Sequence, residues 1–126
     1  NTPTGLKGGI VQYDIRTLQE TNRWTFRSPS VPTFNTQEDS LFVADSAGVW
    51  LINLRTQQSQ PQLLFPKPTN NDQWYHIQKN PNNNTLWIST YPQFSQKNGW
   101  VSIKDYKGQT LQTLNVLLTP RTILFF

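Results

Sequence analysis

A ten-residue phrase occurs three times in this chain. It reads first as Gly8-Gly9-Ile10-Val11-Gln12-Tyr13-Asp14-Ile15-Arg16-Thr17, then as Ala47-Gly48-Val49-Trp50-Leu51-Ile52-Asn53-Leu54-Arg55-Thr56. The third copy is Gly99-Trp100-Val101-Ser102-Ile103-Lys104-Asp105-Tyr106-Lys107-Gly108. Each copy leads from a small-residue turn into an alternating strand and closes on Asp/Asn-x-Arg/Lys-Thr/Gly. Repetition on this scale predicts an array of like β-units, and it constrains architecture far more than activity.

The unit extends outward from the phrase. Twelve residues after Asp14, Asn53 and Asp105 stand Phe26, Phe65 and Leu117, each closing a second strand, and a proline follows at Pro29, Pro66 and Pro120. A third strand is predicted at 31–34, 74–77 and 122–125, and a fourth at 40–44 and 85–89. Helix has little foothold, because prolines interrupt the chain and no window keeps a 3.6-residue period. The copies are 39 and then 52 residues apart, and the excess falls around Pro68–Gln73 and Tyr91–Lys97, between the expected strands.

Four short strands per unit of about 40–50 residues are the signature of a β-propeller blade. The expected fold is therefore all-β, with antiparallel four-stranded blade repeats. The chain holds an incomplete set of about two to three blades: a partial blade at about 6–28, blades at about 31–66 and 74–118, and the start of another at 121–126. Such a set does not close a ring of the usual four to eight blades. The remaining blades are expected from a longer chain, with assembly of several copies as the alternative.

The segments Asn84-Thr85-Leu86-Trp87-Ile88-Ser89-Thr90 and Asn98-Gly99-Trp100-Val101-Ser102-Ile103-Lys104-Asp105 resemble blades of the sensor propellers of bacterial two-component regulators. Gly9 to Trp24 is similar to the repeat of quinoprotein-type propellers. The resemblance implies an extracytoplasmic sensing or binding protein, periplasmic or extracellular. The motifs are shared by several propeller families, and fold alone does not carry function.

Composition narrows the function classes. The net charge is +4, but the basic residues are scattered, with no arm or Arg-rich segment, so no specific nucleic-acid partner is expected. Asn and Gln together number 25 and supply much of the polar surface. The chain has no cysteine and one histidine, which leaves only oxygen ligands for a metal. No metal site, cofactor or membrane span is expected, since no stretch of about 18 apolar residues occurs.

Catalysis has no evident residue set. Any Ser-His-Asp arrangement would have to use His76. Asp14, Asn53 and Asp105 occupy one repeat position and are expected to orient hairpin turns instead of pairing for acid–base work. Trp24, Trp50, Trp87 and Trp100 fall at different positions in the unit, which predicts core and inter-blade packing over a repeated sugar platform.

The expected activity is non-catalytic binding of a small molecule or a protein. Gln73, Trp74 and His76 are the candidate contacts on the channel side of an inner strand, and Tyr91 and Phe94 in an inter-strand insertion. The alternatives are a scaffold module that docks other chains, and part of a quinoprotein- or lactonase-like enzyme whose active site lies in other blades. Asn83-Asn84-Thr85 also fits a glycosylation acceptor.

Overall fold

Alternating apolar residues between turn signals become strands wherever one face of each can be covered. The computed structural model describes residues 7–28, 31–56, 60–68, 72–92, 99–116, 123 and 125. They form ten strands and, among the described residues, no helix. The strands are β1 (Gly8–Asp14), β2 (Gln19–Phe26), β3 (Val31–Phe34), β4 (Ser40–Ala44), β5 (Gly48–Asn53), β6 (Gln62–Pro66), β7 (Asp72–Lys79), β8 (Leu86–Pro92), β9 (Trp100–Lys104) and β10 (Thr110–Asn115).

Every pairing is antiparallel and joins strands adjacent in sequence. β1 and β2 form a hairpin, β3–β4–β5–β6 a four-stranded meander, and β7–β8–β9–β10 a second one. The all-β expectation therefore holds, with sheets of two, four and four strands. The repeated phrase is β1, β5 and β9 with the turn that follows. In all three copies its terminal Asp or Asn builds the same turn. Asp14 Oδ1 accepts from Arg16 N at 2.8 Å, Asn53 Oδ1 from Arg55 N at 2.9 Å, and Asp105 Oδ1 from Lys107 N at 2.9 Å. A carboxylate and an amide do this equally well, because only the acceptor oxygen is used.

The three sheets stack face to face in chain order. Trp24 and Phe26 of the hairpin pack with Leu41, Val43 and Ile52 on one face of the first meander. The opposite face of that meander carries Phe42, Ala44, Val49 and Phe65, which pack on Ile77, Leu86 and Ile88 of the second. Strand alternation produces this division: neighbouring residues of β4 serve different layers. Leu41 and Leu86, at equivalent repeat positions, both face the preceding layer. The two meanders approach most closely at their first strands, where β7 lies against β3 and β4. A polar contact ties them there, as the Lys79 amide donates to Thr33 Oγ1 at 3.2 Å.

Two strands exceed their predicted limits. β7 starts at Asp72 and β8 continues to Pro92, so Tyr91 belongs to a strand and pairs with Gln73 instead of beginning a loop. The reason is local: Trp87-Ile88-Ser89-Thr90-Tyr91 keeps its alternation, and the residues before Trp74 are available as partners. Trp50 packs in the core and against Phe26, with ring centroids 6.4 Å apart, and Trp87 meets Phe125 edge-on at 5.0 Å. The tryptophans named are packing residues, as their scattered repeat positions predict.

Candidate functional site

The first strand of each meander is an edge strand, and both run out at the same end of the stack. A cleft of about 370 Å³ opens there. β3 and its turn contribute Phe34, Asn35 and Thr36. β7 and its turn contribute Gln78, Lys79 and Pro81, and Ile123 and Phe125 line it as well. The first strands of both meanders and the chain near its last described residues thus meet at one opening. The volume lies at the lower end of the range for small-molecule sites, roughly 300–1,000 Å³.

The turns beside the cleft are built on paired asparagines. The Asn35 amide donates to Ser40 O and the Asn80 amide to Thr85 O, each at 3.0 Å, closing equivalent loops. Asn35 Oδ1 also accepts from the amides of Asp39 and Ser40 at 3.0 Å, and its Nδ2 donates to Asp39 Oδ1 at 2.6 Å. This last contact is the main reason the Asp39 carboxyl is held below the usual carboxylate range, with Arg55 at 2.9 Å adding to it. Asn80 Oδ1 accepts from Asn82 N at 2.9 Å. Asn83, in the glycosylation-type triplet, accepts a hydrogen bond from the Thr85 hydroxyl.

Lys79 stands where the preceding repeat has Phe34. It is buried, at 6% exposure, and its ammonium donates to Asn80 O and Asn83 O at 2.5 Å each. Burial lowers its pKa. Among the described residues it forms no ion pair. Lys104 is buried too, and burial lowers its pKa, an effect the Asp105 carboxylate partly offsets; its ammonium reaches Thr110 Oγ1 at 2.8 Å and Gly108 O at 3.4 Å.

The residues singled out from sequence are distributed differently. Gln73 is exposed on β7, opposite Tyr91. Trp74 turns into the layer between the meanders, edge-on to Phe65 at 6.4 Å, with the Lys67 ammonium 5.8 Å from its ring centre. A bulge at Tyr75 then places His76 opposite Ser89, on the other face of the sheet. His76 Nε2 and Ser89 Oγ are both buried and have no hydrogen-bond partner among the described residues. Phe94 lies outside the described residues.

The structure does not gather Gln73, Trp74 and His76 into one site. The cleft uses the same strand at its other end, through Gln78 and Lys79. The sequence signal that would have found it is a lysine in an otherwise apolar repeat position, one residue before the Asn of the shared Asn-x-x-x-x-Ser/Thr-Leu spacing. Among the described residues no three His, Cys, Asp or Glu side chains come together as a cation site, and no helix is long and apolar enough to cross a membrane. No protein-family model and no curated protein matches the chain.

Proposed function

We propose that this chain is a run of propeller-type blades that binds a small molecule non-catalytically, as part of an extracytoplasmic sensor or binding protein. The observation that carries this reading is the cleft at the shared end of the first strands of the two meanders, lined also by Ile123 and Phe125. Sheets that stack in chain order and come closest at their first strands are what a blade array requires. Aromatic walls at Phe34 and Phe125 with polar groups at Thr36 and Gln78 give the mixed lining that small-molecule sites use.

A fragment screen read by thermal shift tests the reading, with Phe34→Ser as the control. Phe34 is 54% exposed, so its replacement leaves the fold intact. Stabilising fragments whose effect is lost in Phe34→Ser support the cleft. A hit set indifferent to Phe34 removes it.

A second reading, as a docking scaffold, draws on the outer face of the β1–β2 hairpin. Tyr13, Ile15 and Leu18 are exposed there. The repeat counterparts of Tyr13 and Ile15 in the first meander, Ile52 and Leu54, pack against the hairpin layer, and Tyr106, the counterpart of Ile15 in the second, packs on Phe42 of the first. An apolar position covered twice and bare once suits a surface that receives another layer.

A further inference from the structure

Among the described residues, Lys79 is the one ionisable side chain that lines the cleft. Its ammonium has three donor hydrogens, and two are taken by Asn80 O and Asn83 O. Holding the turn does not by itself require a charge. The equivalent turn of the preceding repeat is held by neutral Asn35, with Phe34 at the lysine's position. Burying an ammonium without a counter-ion is costly, whereas an apolar residue of similar size carries no such cost. Lys104 shows the contrasting arrangement: it also reaches over its own turn, but with Asp105 beside it. Lys79 therefore combines a buried charge, no acidic partner among the described residues, and a cleft.

Resting on the reading of the cleft as a binding site, we infer that its ligand is a singly charged carboxylate carried on a flat apolar body. The carboxylate takes the third ammonium hydrogen of Lys79, and the body lies against Phe34 and Phe125. A lining whose described residues offer one cation and no arginine fits a monoanion better than a phosphate dianion, which would leave a charge uncompensated in a partly desolvated site. Gln78, with no acidic group among the described lining residues, supplies a further amide donor.

The test titrates the whole chain with benzoate and with benzamide, its neutral isostere, and reads backbone amide shifts at Asn35, Thr36, Gln78 and Lys79. A charge-assisted hydrogen bond in place of a neutral one predicts binding of benzoate about 10- to 100-fold tighter than benzamide. Lys79→Met is expected to abolish that preference, and Lys79→Arg to keep part of it. The benzoate–benzamide comparison uses the unaltered protein, so a misfolded variant does not obscure it. Equal affinity for the two probes overturns the inference and leaves the cleft as a site for neutral ligands. Absence of shifts from either probe also overturns it, and absence of shifts from the fragment hits as well removes the cleft reading itself.

Discussion

Asp45 Oδ1 accepts a hydrogen bond from the indole Nε1 of Trp50 at 2.9 Å. The same oxygen accepts from Ala47 N at 2.8 Å and Gly48 N at 3.1 Å, and Oδ2 accepts from Arg27 N at 3.3 Å. One buried carboxylate therefore closes the β4–β5 turn, fixes a core indole and ties the hairpin layer to the first meander. Four donors offset the cost of burying it.

Replacing Asp45 with Ala leaves those donors without their acceptor in a buried turn. A loss of about 2–4 kcal/mol in unfolding free energy is expected by urea denaturation. Asp45→Asn keeps one acceptor oxygen and is expected to lose less than half as much. Equal losses for the two variants would show that the charge, and not the acceptor geometry, matters.

Gly9 and Gly48 occupy the same repeat position, yet only one is required. At Gly48, where φ is +156°, an added Cβ would lie 2.2 Å from Phe65 O. At Gly9 it would meet Trp24 O at an ordinary 3.5 Å. Gly48→Ala is expected to cost about 2–4 kcal/mol, and Gly9→Ala to change stability by under about 1 kcal/mol. Similar midpoints for both variants would contradict the packing of β5 against β6.

Ile15, Leu54 and Tyr106 also share a position and differ in cover. Ile15 is 85% exposed, whereas Tyr106 stacks on Phe42 with centroids 5.1 Å apart. Ile15→Ser is expected to fall within about 0.5 kcal/mol of the parent, and Tyr106→Ala to lose about 2–3 kcal/mol. A large loss at Ile15 would mean that the hairpin face is covered in solution.

Acid should destabilise the protein through Asp14 and Asp39. The backbone amide of Arg16 lowers the pKa of Asp14, and the Asn35 side chain that of Asp39, each from an ordinary value of 3.8. A carboxylate whose folded pKa is depressed contributes stability above its unfolded pKa. That contribution is lost as pH falls through the lower folded value. Melting temperatures measured from pH 7 down to pH 2 should fall below about pH 4, and less steeply in Asp14→Asn/Asp39→Asn. Parallel curves for the two proteins would exclude both groups.

The strands and the turns between them were legible because their causes are local. Period-2 alternation marks β1, β5 and β9, and the Asp/Asn at the end of each carries its own turn partner two residues away. Longer-range causes were not legible. Asp45 looks like one more polar residue in a small-residue turn, because its link to Arg27 crosses 18 positions of sequence. Tyr91 reads as a loop residue in sequence because its partner Gln73 lies 18 positions away, in what reads as another insertion. Gln73, Trp74 and His76 lie on the same strand as the cleft residues Gln78 and Lys79, toward its other end. His76 and Trp74 drew notice by residue type, while the cleft depends on where β3 and β7 terminate together. Only tertiary structure shows that Lys79 is buried at the cleft it shares with Phe34, without an acidic partner among the described residues.

The most direct test of the central claim, that the shared end of the first strands is a ligand site, is amide-shift mapping of the fragment hits on the full chain. The account predicts that saturable shifts cluster at Asn35, Thr36, Gln78 and Lys79 and leave Tyr13, Ile15 and Leu18 unmoved. Shifts that cluster on the hairpin face, or around Gln73 and His76 with the cleft silent, would contradict it.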